Sequence, residues 1–318
     1  MKNISPKHVG ILLGVTYGII IRVIWELDQL KDFGGLVTIS FMFIVPFVIG
    51  FIRIYFEYKV KDKLTAGEMT VIAWQPIFFF LLASIVTLLE GSICVLISLP
   101  AFMFFSSLGG LTAGYGLKYF KNKQGTLSCV ALIPLIIAPV EINHLQLSNI
   151  YTIENTIIID ASPSQVWNEL GNVNHIDRDE LPFSFTQLMG VPAPVSAKMS
   201  GADVGSVRTS TWEKGVKFNE VITEWSINQR MSYRFEIDPD TIPDRSLDKH
   251  VKLGGNYFSP LTGFYKINHL ENGKSELILS TTVQDNTNFG VYSRIWGEFI
   301  FRDFHTSLLK LMKARAEV

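Results

Sequence analysis

The second half of this chain contains the sequence IDASPSQVW at residues 159–167, which carries the clearest signals of local structure. It ends an Ile- and Thr-rich run over 151–159, which predicts a β-strand. It then opens a helix, because Ser162 suits an N-cap, Pro163 suits the first helical position and Gln165 can reach back as in a capping box. The second half therefore begins with a strand and a short helix.

Apolar and polar residues alternate further along the chain, which predicts a run of antiparallel strands. The Asn-Gly pair at 272–273 is a strong hairpin signal between the last two of them. We predict strands at 206–212, 218–225, 231–237, near Tyr257, 263–270 and 275–283.

A long helix is predicted at the C-terminal end, over 289–315, because apolar residues recur there at three- and four-residue steps. The spacing predicts that this stripe is buried against the sheet. Its residues are Ile295, Trp296, Phe299, Ile300, Phe304, Leu308, Leu311 and Met312. The order of elements predicts an α+β fold of helix-grip type, a curved antiparallel sheet around a C-terminal helix. One helix cannot fill a broad concave face, so we expect an apolar pocket beneath it.

The first half of the chain has a different composition. Residues 1–149 carry 11 basic and 8 acidic residues, against 17 and 21 in 150–318. A membrane-spanning helix needs about 20 apolar residues. Apolar runs near that length lie at 33–52, 69–89, 91–117 and 124–140, and a shorter one begins at Val9. We therefore predict a transmembrane helical domain of about five spans over 1–142, followed by a separate domain over 150–318.

The distribution of Lys and Arg predicts the orientation of these spans. One side of the bundle would hold nine of these residues, namely Lys2, Lys7, Arg53, Lys59, Lys61, Lys63, Lys118, Lys121 and Lys123. The other side would hold only Arg22 and Lys31. Because cytoplasmic loops are enriched in Lys and Arg, we predict a cytoplasmic N-terminus and, after five spans, an extracytoplasmic C-terminal domain.

Several functional classes are disfavoured by composition. The net charge of −1 and the lack of a long basic run argue against a nucleic-acid partner. The six histidines are scattered, and both cysteines lie in apolar stretches of the first half, so we predict no metal site and no cofactor. The expected partners are the lipid bilayer and a hydrophobic small molecule; the sequence specifies no protein partner.

Four segments of the second half resemble the START-like (SRPBCC) superfamily, which includes polyketide cyclases/dehydrases and lipid-transfer domains. They are the opening 159–167, the stretch 246–258 with Gly254-Gly255, Gly263-Phe264-Tyr265, and the ending from Tyr292 to Glu317. The resemblance covers about 150–318. It implies a helix-grip fold and a ligand that is a lipid or another hydrophobic molecule.

Three ionisable residues are candidates for acid or base chemistry. Asp248 and His250, two positions apart, form either an acid/base pair or a hydrogen-bonded anchor of the long connection around them. Glu220 shares a strand face with apolar neighbours. It is either the polar group of a pocket wall or, as we favour, the partner of an arginine on a neighbouring strand, Arg208 or Arg234.

Aromatic residues are the candidates for ligand contact. Tyr233, Tyr257 and Tyr265 combine an apolar ring with a hydroxyl that can orient a largely apolar ligand, although core packing is an equal alternative. On the final helix, we interpret Trp296 as a core anchor first and a wall of the same pocket second, and Phe299 is a further candidate for ligand contact.

Three functions follow from these features, in order of preference. The first is a membrane-anchored START-like domain that binds a lipid or other hydrophobic small molecule beneath its C-terminal helix. The second is an enzyme of polyketide cyclase/dehydratase type, which would use Asp248, His250 or Glu220. The third is a sensory or structural membrane protein whose outer domain reports through the spans.

Overall fold

The computed structural model divides the chain into two compact units, residues 1–147 and residues 148–318. The structure describes residues 5–25, 38–117, 123–144, 147–243, 246–247, 252–255 and 257–318.

The described part of the first unit is helical. Its elements are α1 (Pro6–Ile24), a π-helical turn (Ser40–Ile44) that continues into α2 (Val45–Glu57), α3 (Ala66–Val86), α4 (Ser92–Gly116) and α5 (Lys123–His144). Four helical segments are long and apolar enough to cross a membrane, by length and composition: α1, the segment Ser40–Glu57, α3 and α4. The apolar part of α5 is shorter, Gly125–Glu141, so the fifth span of the prediction does not reach the same length.

Polar contacts fix how the helix ends of the first unit meet. Arg22, near the end of α1, donates from Nε to Glu90 Oε1 at 2.5 Å and from Nη2 to the Leu89 carbonyl at 2.7 Å. The end of α1 therefore lies beside the connection between α3 and α4. Glu141, near the end of α5, accepts hydrogen bonds from the Ser40 amide and hydroxyl, each at 3.0 Å. The end of α5 therefore lies beside the start of the α2 segment.

The second unit is built on one seven-stranded antiparallel sheet with the order β1-β7-β6-β5-β4-β3-β2. Its strands are β1 (Asn149–Ile159), β2 (Pro194–Met199), β3 (Val207–Trp212), β4 (Lys217–Ser226), β5 (Arg230–Glu236), β6 (Phe258–His269) and β7 (Ser275–Asp285). The helices are α6 (Pro163–Gly171), the short α7 (Phe185–Met189) and the long α8 (Gly290–Ala316).

Helix α8 packs against one face of this sheet. Phe301 of α8 joins Tyr151, Ile153 and Val283 in a buried cluster at the β1–β7 side. Toward the opposite edge, the ring of Trp212 on β3 lies 4.8 Å from that of Phe304 on α8. The sheet therefore reaches around the helix, and the unit has a helix-grip-like arrangement.

The structure confirms two local predictions from the sequence, the N-cap of the short helix and the Asn-Gly hairpin turn. Ser162 caps α6 in a capping box with Gln165. In the β6–β7 turn, Asn272 and Gly273 both have positive φ, 64° and 77°, which is the backbone that an Asn-Gly hairpin requires. Strand β2 and helix α7 were not predicted, because the prolines around them were interpreted as loop.

The predicted burial of α8 needs a correction. Ile295 and Phe299 are not buried: they are 61% and 39% exposed. The first part of the helix instead buries Gly297, Phe301 and His305, whereas Leu311 and Met312 of the predicted stripe are buried as expected. The pattern of apolar residues failed here because a glycine and a histidine occupy buried positions, while apolar residues also line the outer side.

Candidate functional site

The most unusual feature of the second unit is an ion pair buried on the sheet face that α8 covers. Arg208 on β3 lies directly opposite Glu220 on β4 in the strand register. Arg208 Nη1 donates to Glu220 Oε2 at 2.6 Å, and both side chains are nearly inaccessible to solvent. Two charges removed from water are costly, so the fold tolerates this pair only with close partners.

Two buried tyrosines complete the cluster. Tyr233 on β5 faces Ile222 of β4 and Gly263 of β6 in the register, and Tyr265 faces Met231. The tyrosine ring centroids are 6.2 Å apart, and Arg208 Cζ lies 5.7 Å from the centroid of the Tyr265 ring. All four polar residues therefore belong to one patch on the covered face. We call Arg208, Glu220, Tyr233 and Tyr265 the buried polar cluster.

Gly263 makes room for this arrangement. A Cβ at position 263 would lie 2.7 Å from three atoms of the Tyr233 side chain, including its hydroxyl oxygen. The glycine therefore lets the Tyr233 ring lie against the neighbouring strand, which places its hydroxyl inside the unit.

One donor of the cluster has no partner. Arg208 Nε is buried and makes no hydrogen bond among the residues that the structure describes. An unsatisfied buried donor costs about 1–3 kcal/mol, and most buried polar groups in proteins avoid this cost. Glu220 and the Tyr265 hydroxyl both hydrogen-bond the Arg208 side chain and hold it in position, whereas its Nε–H makes no hydrogen bond among the described residues.

Burial changes the proton affinities of the cluster. It raises the pKa of Glu220, although the neighbouring Arg208 guanidinium opposes that rise. It also raises the pKa values of Tyr233 and Tyr265, so both hydroxyls keep their protons at neutral pH and can donate or accept hydrogen bonds. The two tyrosine hydroxyls can therefore hydrogen-bond an oxygen-bearing ligand at neutral pH without a change in their own protonation.

The surroundings of the cluster are aromatic. The ring centroids of Trp212 and Phe218 lie 5.9 Å apart, those of Phe218 and Phe235 5.8 Å apart, and those of Phe235 and Tyr233 5.3 Å apart. Sites for largely apolar ligands are usually lined by aromatic and apolar side chains with a few polar groups among them.

A second polar contact lies further along the same face, beneath α8. His305 is fully buried, and its ring nitrogens lie 2.9 Å from Thr281 Oγ1 and 3.3 Å from Asn155 Oδ1. Burial, with a smaller contribution from Arg302, lowers the pKa of His305 to about 3. This histidine is therefore neutral at physiological pH and joins α8 to β1 and β7.

The structure places the predicted site residues in different environments. Glu220 forms the ion pair with Arg208 that we favoured, whereas Arg234 pairs with Glu236 at the surface. Asp248 and His250 lie outside the described residues.

The remaining aromatic candidates divide into two groups. Tyr233 and Tyr265 belong to the buried polar cluster. Tyr257 and Trp296 are half-buried, and Phe299 is on the outer side of α8. The ligand-contact candidate Phe299 is thus not among the aromatic side chains around the cluster.

Arg208 was expected only as a possible partner for Glu220 and not as a site residue. A signal for it was present, because Arg208 alternates with Ser210 and Trp212 and so shares their strand face. The sequence could not show that Arg208 Nε remains unpaired, since this depends on the register between β3 and β4.

Metal binding finds no support in the described part of the chain. There, no three His, Cys, Asp or Glu side chains come together as a metal site requires.

Comparisons with known proteins give similarities of structure only. No protein family profile matches the chain, and no curated protein matches it. Among solved structures, a Nitrosospira multiformis protein is 17% identical with a TM-score of 0.33, over 52% of this chain and 94% of its own. Norcoclaurine synthase from Thalictrum flavum is 12% identical with a TM-score of 0.34, over 54% of this chain and 96% of its own. A Staphylococcus aureus protein of unknown function is 8% identical with a TM-score of 0.35, over 54% of this chain and 95% of its own. Identities and TM-scores this low carry no inference about ligand or activity.

Proposed function

We propose that this protein is a membrane-anchored binding protein whose second unit holds a lipid or another hydrophobic small molecule beneath α8. The observation that carries the proposal is the buried, unpartnered Nε–H of Arg208, which lies beside two tyrosines and among aromatic side chains. A ligand oxygen that accepts this hydrogen bond would remove the cost of the unsatisfied donor.

The chemistry of the cluster favours a neutral oxygen on the ligand. Glu220 already balances the charge of Arg208, at a distance of 2.6 Å. A ligand carboxylate next to Arg208 Nε would also lie close to the Glu220 carboxylate, and like charges in a buried site repel strongly. A carbonyl or hydroxyl group accepts the hydrogen bond without that repulsion. We therefore propose an apolar molecule that carries a carbonyl or hydroxyl at its buried end.

We further propose that the first unit lies in a bilayer and that α5 completes the bundle. The contacts of Arg22 with Glu90 and of Glu141 with Ser40 support helices that alternate in direction, so that α5 ends at the level where α1 ends. Helix α5 also exposes an apolar stripe at four-residue steps, formed by Leu132, Ile136 and Val140, which suits contact with lipid. This arrangement brings the second unit to the opposite side from the N-terminus, outside the cytoplasm.

The proposal is tested by extracting the full chain from membranes directly into lipid nanodiscs and quantifying the bound small molecules by mass spectrometry. We expect a hydrophobic compound in about equimolar amount with the wild-type chain. Arg208→Lys keeps a positive charge beside Glu220 but lacks the Nε–H donor, so it should retain several-fold less compound.

The matched control is Arg234→Lys, which changes an exposed arginine of the neighbouring β5 strand that pairs with Glu236. This variant should retain the wild-type amount. The binding proposal is wrong if the wild-type chain carries nothing above the lipid background, or if the two lysine variants retain equal amounts.

An enzymatic function is the second candidate, and one observation favours it. Burial raises the pKa of Glu220, which is a common property of a catalytic acid or base. The same extraction separates the two functions when it is applied to Glu220→Gln. An enzyme would accumulate a different, unprocessed compound in this variant, whereas a carrier would hold the wild-type compound in the same or a smaller amount.

A further inference from the structure

The outer surface of the second unit carries a continuous apolar face. It is formed by six residues that are between 39% and 79% exposed: Phe183, Phe185, Leu188, Val291, Ile295 and Phe299. We call these six residues the outer apolar face. Large contiguous apolar patches are uncommon on soluble surfaces and mark sites of interaction.

Ring contacts join the two elements that form this face. The ring centroids of Phe183 and Phe185 are 5.0 Å apart, and those of Phe185 on α7 and Phe299 on α8 are 6.4 Å apart. Val291, Ile295 and Phe299 follow one another at four-residue steps and so lie along one side of α8. The face is thus a single surface that spans two helices.

Helix α7 is fixed to α8 by a carboxylate, which keeps the two halves of the face together. Asp303 Oδ2 accepts hydrogen bonds from the Ser184 hydroxyl at 2.5 Å, the Thr186 hydroxyl at 2.7 Å and the Thr186 amide at 3.1 Å. Ser184 and Thr186 are buried, whereas Phe185 between them points outward. The fold therefore holds Phe185 at the surface.

The outer apolar face begins where the chain enters the second unit. Gly290, directly before Val291, lies beside Asn149, the first residue of β1: a Cβ at Gly290 would be 3.7 Å from Asn149 Nδ2. Leu147 and Ile150, next to that entry point, are exposed as well. The outer apolar face therefore begins near the first residue of β1.

The connecting segment is short. Only residues 145–148 separate the end of α5 from the start of β1, and a fully extended chain covers at most roughly 18 Å over this interval. If the first unit is held in a bilayer, the entry point of the second unit cannot be far from the lipid. The charged residues beside the face fit that location: Arg294 and Arg302 on α8 pair with Glu298 between them, at 2.8 Å and 4.0 Å, and the three residues keep one net positive charge. Arginines beside apolar and aromatic residues are typical of surfaces that lie in the headgroup region.

We infer that the outer apolar face docks onto the surface of the bilayer that holds the first unit. The inference rests on the membrane part of the proposed function. It adds that the second unit lies against the lipid with α7 and the first half of α8 in the interfacial region.

The test uses spin labels on the full chain in vesicles of phosphatidylcholine and phosphatidylglycerol, after Cys94→Ser and Cys129→Ser remove the free cysteines. Labels at Leu188→Cys and Ile295→Cys report on the outer apolar face. A label at Ile227→Cys is the matched control, because Ile227 is equally exposed but lies in the β4–β5 turn at the other end of the sheet. A label at Leu82→Cys reports on α3 of the first unit.

The measurement compares relaxation by oxygen, which dissolves in lipid, with relaxation by a water-soluble nickel chelate. We expect the oxygen-to-nickel ratio at positions 188 and 295 to be several-fold higher than at position 227, with a high ratio at position 82. If positions 188 and 295 match position 227 while position 82 is in lipid, the docking inference is wrong and the membrane anchor stands. If position 82 is also in water, the anchor itself fails. A third outcome also overturns the inference. If positions 188 and 295 are shielded from both reagents, and this shielding is lost when the protein is diluted in lipid, a second copy of the chain covers this face.

Discussion

A single tyrosine shows how tightly α8 is seated on the sheet. The Tyr151 hydroxyl on β1 is buried and has no hydrogen-bond partner among the described residues. Helix α8 can approach it because position 297 is a glycine: a Cβ there would be 2.2 Å from Tyr151 Oη. The close contact thus depends on the absence of one methyl group.

This contact predicts a rescue between two substitutions. Gly297→Ala should destabilise the second unit by about 1–2 kcal/mol, since overpacking outweighs the gain in helix propensity of roughly 1 kcal/mol. Tyr151→Phe removes an unsatisfied hydroxyl and should stabilise the unit by about 1 kcal/mol. In the double variant the alanine should cost almost nothing, because the nearest remaining ring atom, Cζ, would be 3.4 Å away.

Urea-dependent pulse proteolysis of the full chain in nanodiscs measures these free energies of unfolding. The packing described for α8 and β1 would be contradicted if Gly297→Ala destabilised the wild-type chain and the Tyr151→Phe variant equally.

At the residue scale, part of the buried polar cluster was predictable. Strand alternation places Glu220 on a face with Phe218 and Ile222, and a buried carboxylate needs a cation, so an arginine partner was expected. The choice between Arg208 and Arg234 was not predictable, because it depends on which strand neighbours present their side chains to the same face. His305 was also missed, since a lone histidine in a helix carries no periodic signal.

Helix α7 is the element whose position depends most on one side chain. Although burial alone would raise the pKa of Asp303, its hydrogen bonds with Ser184 and Thr186 lower it. Asp303→Ala should therefore free α7 from α8 at a cost of about 2 kcal/mol, the worth of charge-assisted hydrogen bonds. Amide exchange at 185–189 should become roughly thirty-fold faster, which hydrogen-exchange mass spectrometry measures.

The control for this prediction is Glu298→Ala on the same helix, which removes a carboxylate paired with Arg294 and not with α7. Exchange at 185–189 that stays at the wild-type rate in Asp303→Ala would show that α7 is held by other contacts.

At the element scale, local chemistry was a better guide than periodicity. The capping box of α6 and the Asn272-Gly273 turn were predicted because each depends on neighbouring residues only. Strand β2 was missed because Pro192 and Pro194 suggested a loop, yet Pro194 begins the strand at the sheet edge, where its missing N–H is tolerated. The prediction of the buried side of α8 was correct at Leu311 and Met312 but wrong at Ile295 and Phe299, because tertiary packing selected between two apolar sides of the first part of this helix.

The second unit as a whole should lose stability in mild acid because of His305. Its pKa is about 3 in the folded unit, below the value of about 6.5 for an unfolded histidine, so the unfolded chain binds a proton more readily. This contribution to stability is complete above about pH 6.5 and decreases as the pH falls toward 3. Between about pH 6.5 and 5 we expect a loss of about 2 kcal/mol.

Pulse proteolysis at several pH values measures this loss. His305→Gln should remove most of the dependence of the unfolding free energy on pH. His175→Gln, which changes an exposed histidine, should leave this dependence in place. An unchanged slope in His305→Gln would assign the pH dependence to other groups.

The topology of the whole chain makes a prediction of its own. A membrane-impermeant maleimide should label Ile227→Cys in intact cells, and should label Lys63→Cys only after the membrane is opened, when the native cysteines are replaced by serine. Lys63 lies between α2 and α3 on the side rich in Lys and Arg. Labelling of both positions from the same side would indicate an even number of spans between residues 63 and 227, and the reverse pattern would indicate the opposite orientation of the chain in the membrane.

The proposed function requires a hydrophobic molecule between the sheet and α8, with an oxygen on Arg208 Nε. An experimental density map of the full chain, extracted directly into lipid nanodiscs, would locate such a molecule. We expect elongated non-protein density on the α8 side of the sheet, with its polar end within hydrogen-bond distance of Arg208 Nε and near the Tyr233 and Tyr265 hydroxyls. A map in which protein side chains fill that region and a protein group accepts the Nε hydrogen bond would contradict the proposed function.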